Sequence, residues 1–98
     1  MAYLNKDQNA ILKNAKMRVR ALNHPLRQSI LSVIKSNKNR INVTDIYVKL
    51  RIEQSVASQH LAILRGGRFV TTKRDGKTIW YSVNDKAITD FIKVCQGI

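Results

Sequence analysis

The sequence is short of the residues that stabilise secreted proteins and that anchor proteins in membranes. Cys95 is its single cysteine, so no disulfide can form within the chain. No run approaches the ~20 apolar residues needed to cross a bilayer, and residues 1–9 lack the apolar segment of a signal peptide. We therefore expect a cytoplasmic protein with no membrane partner.

Acidic residues are scarce as well. The 98-residue chain has 6 Asp plus Glu against 18 Lys plus Arg, which gives a formal net charge of +12. Such an excess on a small protein favours a polyanionic partner. Nucleic acid is favoured over a membrane surface, because the basic residues are spread along the whole sequence. The alternative is a basic protein whose charge serves only solubility.

Patterns typical of catalysis are missing. No nucleophile lies near a general base, no carboxylates are paired, and Gly66-Gly67 falls far short of a nucleotide-binding loop. The two histidines and one cysteine do not have the spacing of a metal site. We therefore expect no enzyme activity, no cofactor and no metal.

The residues that are present predict one helical domain over residues 1–98. Hydrophobic residues make up 44% of the chain, which suits a folded protein. Apolar periodicity predicts five helices. Their predicted bounds are about 6–22, 25–36, Val43–Leu50, Glu53–Arg65 and 85–96. A chain of this size buries only ~65% of its unfolded surface, so burial against a second copy would help.

Five residues at helix starts fit this assignment. Pro25 suits the first position of a helix, and His24 before it is expected to cap that helix. Asn42 with Asp45 resembles a capping box, and Asn84 can cap the last helix. The third and fourth helices are joined by a three-residue turn, which predicts a helix-turn-helix motif.

The fourth helix is the candidate recognition helix. Ala57, Leu61 and Leu64 recur at helical spacing and predict a core-facing side. The opposite side carries short polar groups that could enter a major groove and bond base edges or phosphates. Gly66-Gly67 should end the helix in the left-handed conformation. The candidate DNA contacts on this helix are Gln54, Ser55, Ser58, Gln59, His60 and Arg65.

An antiparallel hairpin, residues 69–83, is predicted next. Asp75-Gly76 between two β-rich runs is a strong hairpin signal, and it places Arg74 opposite Lys77. Like charges facing each other cost stability, so a phosphate could offset that cost. The alternative is a solvated tip that is basic by chance. The candidate DNA contacts here are Lys73, Arg74 and Lys77.

The first and last helices have apolar faces broader than one small domain needs, which indicates a homodimer interface. Cys95, at the end of this set, is expected to act as a small hydrophobe rather than as a redox group. The candidate interface residues are Ile11, Leu12, Ala15, Ile88, Phe91, Ile92 and Cys95.

Several motifs between residues 20 and 84 are familiar together. They include His24-Pro25-Leu26-Arg27, Ser58-Gln59-His60-Leu61, Arg74-Asp75-Gly76-Lys77 and Trp80-Tyr81. This pattern resembles the ArsR/SmtB family of prokaryotic transcriptional repressors. The resemblance implies a mainly α, winged helix-turn-helix fold whose two-stranded hairpin is the wing. It also implies a homodimer that leaves double-stranded DNA when an inducer, often a metal ion, binds.

Departures from the family pattern concern the helix-turn-helix and the metal sites. Glu53 stands where the family has a Ser cap, and Arg51 where it often has Gly. The family's Cys-Val-Cys metal motif matches Asn42, Val43 and Thr44, and the last helix has no histidine. The resemblance thus implies a sequence-specific, DNA-binding regulator. We expect a dimeric repressor whose inducer is unknown and is not a metal at the usual sites. The alternative is a winged-helix module that binds protein or RNA.

Overall fold

A computed structural model describes residues 16–96, and its helices and hairpin confirm the predicted fold class. The predicted residues 6–15 of the first helix, with Ile11, Leu12 and Ala15, lie outside the described range. The elements are α1 (helical over 16–22), α2 (Pro25–Ser36), α3 (Val43–Leu50), α4 (Gln54–Gly66), β1 (Val70–Asp75), β2 (Thr78–Val83) and α5 (Asp85–Gln96).

The predicted helix caps are in place. His24 Nδ1 accepts a hydrogen bond from the N–H of Leu26 at 3.2 Å, one residue beyond Pro25. Asn42 Oδ1 accepts from the N–H of Asp45 at 2.8 Å, and Asn84 caps α5 in the same way. Each bond satisfies an amide that has no partner inside its own helix.

The core fixes which side of α4 faces outward. Ala57, Leu61 and Leu64 are at most 1% exposed, as their spacing predicts. They pack behind the helix-turn-helix formed by α3, residues 51–53 and α4. Because one side of α4 is buried along its length, the polar side must point away from the domain. The remaining fully buried side chains include Ile30, Ile34, Ile41, Ile46 and Phe69.

The end of α4 differs from the prediction. Gly66 belongs to the helix, and Gly67 has φ −80°, so neither glycine is left-handed. The left-handed residue is Arg68, with φ 65°. Gly67 is required for a different reason, since a Cβ there would lie 2.8 Å from the ring of buried Phe69.

The predicted hairpin register is wrong by two residues. Asp75 pairs with Thr78, so the turn consists of Gly76 and Lys77. Within this turn only Gly76 has a positive φ, 62°, and glycine suits the first central position of a tight turn. Arg74 pairs with Ile79, so the predicted like-charge pair with Lys77 does not form. Without that pair, the turn has no such like-charge repulsion for a phosphate to offset.

The loop between α2 and α3 extends this small sheet. Ile41 and Tyr81 exchange both backbone hydrogen bonds, at 3.1 and 2.7 Å. Two residues earlier, the Asn39 amide accepts from the Val83 N–H at 2.7 Å and donates to the Val83 carbonyl at 3.2 Å. The side chain of Asn39 thus takes the place of a strand backbone. As a result β2 is held along both edges.

Candidate nucleic-acid interface

The outward side of α4 presents polar groups to solvent. Glu53 precedes the helix, and from Gln54 onward the helix has no carboxylate. The sequence-predicted contacts on this side are exposed as required, namely Gln54, Ser55, Ser58, Gln59 and Arg65.

His60 is placed differently from the prediction. Its ring packs against that of His24, with centroids 4.9 Å apart, at the contact between α4 and α2. Its Nδ1 atom is buried and has no hydrogen-bond partner among the described residues. Burial, together with the positive charges of His24 and Arg27, lowers the pKa of His60. His60 therefore faces α2 rather than the outward side of α4, because its position on the helix borders the buried residues.

The hairpin tip carries the predicted cations together. Lys73, Arg74 and Lys77 are all exposed. Arg74 Nε donates to the carbonyl of Gly76 at 3.1 Å, which holds the Arg74 side chain along the turn. The one acidic residue at the tip is Asp75. The tip is thus a cationic surface borne by two paired strands.

Arg40 also belongs to this end of the molecule, although no sequence pattern assigned it to a site. Its guanidinium lies 4.2 Å from the centre of the Trp80 ring, and Nη2 lies 3.8 Å from Oδ2 of Asp75. Both ion-pair partners are more than half exposed, so the ion pair contributes little. No local pattern predicts the contact, because it joins residues 35 and 40 positions apart.

A groove of about 450 Å³ separates α4 from the hairpin. Its wall on α4 includes Ser58, Ala62, Arg65 and Gly66, and its wall on β2 is Tyr81. No sequence pattern assigned Tyr81 to a site. None of the lining residues is acidic.

The predicted interface residues on α5 divide into two groups. Phe91 is only 7% exposed, and its ring lies 5.7 Å from that of Phe69. The Arg18 guanidinium packs on both rings, at 4.8 and 4.5 Å. Phe91 therefore belongs to the core of its own protomer, which corrects its predicted place in the dimer interface. Ile88 is partly buried, whereas Ile92 and Cys95 are exposed.

The positions of the family's Cys-Val-Cys motif hold Asn42, Val43 and Thr44 in this chain. At the position of the first motif cysteine, Asn42 Oδ1 is already engaged in capping α3. Among residues 16–96, no three His, Cys, Asp or Glu side chains lie close enough together to hold a metal ion. Within the same residues, no helix is long and apolar enough to cross a membrane.

Comparison with known proteins places this fold and surface in a family. No family model matches the chain. The transcriptional repressor PagR of Bacillus anthracis is 34% identical over 80 residues, covering 82% of this chain and 79% of PagR. The nodulation protein NolR of Rhizobium meliloti is 37% identical over 78 residues, covering 80% of this chain and 62% of NolR.

Solved structures agree with these relatives. The crystal structure of PagR superposes with a TM-score of 0.69 and 30% identity, covering 89% of this chain and 98% of PagR. The chain belongs to the ArsR family of winged-helix transcriptional regulators. A homodimeric winged helix-turn-helix DNA-binding domain from Mycobacterium bovis, a possible ArsR-family regulator, has the same fold. Its TM-score is 0.74 at 23% identity, covering 96% of this chain and 86% of that domain. In this ArsR-family chain, α4 is the second helix of the helix-turn-helix and the hairpin is the wing.

Proposed function

We propose that this ArsR-family protein is a homodimeric repressor that binds specific sites on double-stranded DNA. The observation that carries the proposal is the orientation of α4. The buried side of this helix fixes which side faces outward, and the outward side presents Gln54, Ser55 and Gln59 and no carboxylate. Glutamine and serine can bond base edges in a major groove. The wing, with Lys73, Arg74 and Lys77, supplies phosphate contacts that attract any duplex.

The proposed dimer uses the apolar surface that the described helices leave uncovered. Met17 and Val19 of α1 are 60% and 43% exposed, and Ile92 and Val94 of α5 are 44% and 62% exposed. Val19 and Ile92 line one groove, and contiguous apolar surface of this kind is typical of interaction sites. A twofold dimer would present two recognition helices to half-sites about one helical turn, ~10 bp, or a multiple apart.

The proposed inducer is not a metal at the family's usual sites, because the matching residues are not ligands. We further propose that the protein acts in the cytoplasm and has no catalytic activity. The regulators to which it is similar act on transcription, and PagR is a transcriptional repressor.

The direct test starts with an operator selected from a random duplex library, with fluorescence anisotropy as the readout. The wild-type protein should bind the operator at least about 10³-fold more tightly than random duplex. RNA of the same sequence serves as the control for the RNA-binding alternative. Equal affinity for operator, random duplex and RNA would reject a specific DNA-binding function.

Two variants then separate sequence-specific binding from the nonspecific electrostatic attraction to any duplex. Gln59→Ala should cost roughly 1–3 kcal/mol on the operator and little on random DNA. Lys77→Gln should weaken every duplex and lower the salt slope by about one unit. Lys93→Gln, with the same charge change on α5, is the control. If Gln59→Ala weakens operator and random DNA equally, α4 does not read sequence. A reporter gene under the selected operator determines whether the protein lowers or raises transcription.

A further inference from the structure

The groove between α4 and the wing has a shape suited to a nucleic-acid backbone. Ser58, Ala62 and Gly66 follow one another at intervals of four along its α4 wall, so they lie in one row on the helix. All three are small, and a Cβ added at Gly66 would meet no atom within 4 Å. The row therefore leaves space along the helix where a chain of sugar and phosphate can approach closely.

Duplex geometry brings a backbone to this place. A recognition helix in the major groove and a wing at the adjacent minor groove lie on either side of one sugar–phosphate strand. That strand must pass between α4 and the wing, which is where the groove runs. This step rests on the function proposed above, because it requires α4 to occupy a major groove.

The chemistry of the lining fits a phosphate. Ser58 and Tyr81 offer hydroxyl donors, Arg65 adds a guanidinium, and no carboxylate lines the groove. None of the side-chain hydrogen bonds among the described residues uses the Tyr81 hydroxyl. The Tyr81 backbone is fixed by its paired bonds to Ile41. Within residues 16–96, Tyr81 thus has a fixed backbone and a hydroxyl that no other side chain or backbone group engages.

We infer that this groove seats one DNA phosphate and that Tyr81 is a DNA contact through its hydroxyl. Ser58 and Arg65 face the same groove, so they contact the backbone rather than base edges. Sequence discrimination then falls to Gln54, Ser55 and Gln59. A phosphate between helix and wing also fixes how deeply both enter their grooves.

Tyr81→Phe tests the inference because it removes one oxygen and keeps the ring packing. The lost hydrogen bond should lower affinity about three- to tenfold, by the same factor on operator and random duplex. The salt slope should not change, since no charge is lost. Arg65→Gln should weaken both duplexes and lower the slope by about one unit. Tyr47→Phe, on α3 and outside the groove lining, is the matched control and should bind like wild type.

The outcomes separate this inference from the function it rests on. If wild-type protein binds no duplex, the proposed function fails. If it binds and Tyr81→Phe binds equally well, the inferred phosphate contact is wrong and the proposed function stands. A loss confined to the operator would make Tyr81 a base contact and also overturn the inference. Ser58→Ala is a second test, since relaxed specificity at one base pair would show that Ser58 does not face a phosphate. Thermal unfolding of each variant should match wild type.

Discussion

At the end of α4, a Cβ added at one glycine should raise the free energy of unfolding, and a Cβ added at the next glycine should lower it. Gly66→Ala places a Cβ in open space on a helix, so we expect a gain of about 0.5–1 kcal/mol in unfolding free energy. Gly67→Ala places a Cβ 2.8 Å from the Phe69 ring, which is fully buried and cannot move freely. We expect that variant to lose about 1–3 kcal/mol. Urea unfolding of the pair measures both, and a shift of the same sign in the two would contradict this account.

The lowered pKa of His60 predicts how stability depends on pH. The folded protein resists protonation of the partly buried ring beside His24 and Arg27, whereas the unfolded chain takes up the proton near its ordinary pKa of about 6.5. Stability from this group is therefore full above about pH 6.5 and is lost as the pH falls further. Urea unfolding between pH 8 and 5 should show the decline. His60→Gln should flatten it, and an unchanged slope in that variant would assign the decline to other groups.

At the scale of secondary-structure elements, local signals predicted the helices and nonlocal contacts decided the wing. The spacing of apolar residues identified the buried side of α4, because Ala57, Leu61 and Leu64 follow the helical period regardless of which residues pack against them. Asp75-Gly76 located the hairpin, but the register depended on which single residue takes a positive φ. The Asn39–Val83 pairing joins residues 44 positions apart, and no sequence window contains both.

The same reason explains the residues that were misassigned. His60 and Phe91 follow patterns that indicate a DNA-facing and a partner-facing role, respectively. Their actual neighbours, His24 and Phe69, come from other elements, and only the folded arrangement brings them together. The candidate surface on α4 and the wing tip was predictable, whereas the groove between them was not, because it exists only once helix and hairpin are packed.

Asn39 offers a test at this scale. Asn39→Gly keeps the positive φ of 56° but removes both hydrogen bonds to Val83. We expect a loss of about 1–3 kcal/mol in unfolding free energy, since buried backbone groups lose their partners. Amide hydrogen exchange at Val83 should speed up. Lys38→Gly, at a neighbouring φ of 60°, should be neutral or stabilising, and an equal loss in both variants would locate the effect in the loop backbone instead.

At the scale of the whole molecule, the dimer prediction depends on choosing a residue that the protomer does not need. A charge at Phe91 would disrupt the core, whereas Ile92 is 44% exposed in the protomer. We expect Ile92→Glu to fold normally, to sediment as a monomer at micromolar concentration and to bind a palindromic operator poorly. Thr89→Glu adds the same charge elsewhere on α5 and should stay dimeric. An Ile92→Glu variant that remains dimeric would exclude this face of α5 from the interface.

The pairing of Ile41 and Asn39 with β2 also bears on aggregation. A wing that projects from a small domain has strand edges that can recruit strands from other molecules. The outer edge of β2 is already occupied by the Ile41 backbone and the Asn39 amide, so a second molecule finds few free groups there. The other strand carries Lys73 and Arg74, whose charges repel a copy of themselves. The protein can therefore be concentrated by electrostatic attraction along DNA while its wings resist stacking into fibrils.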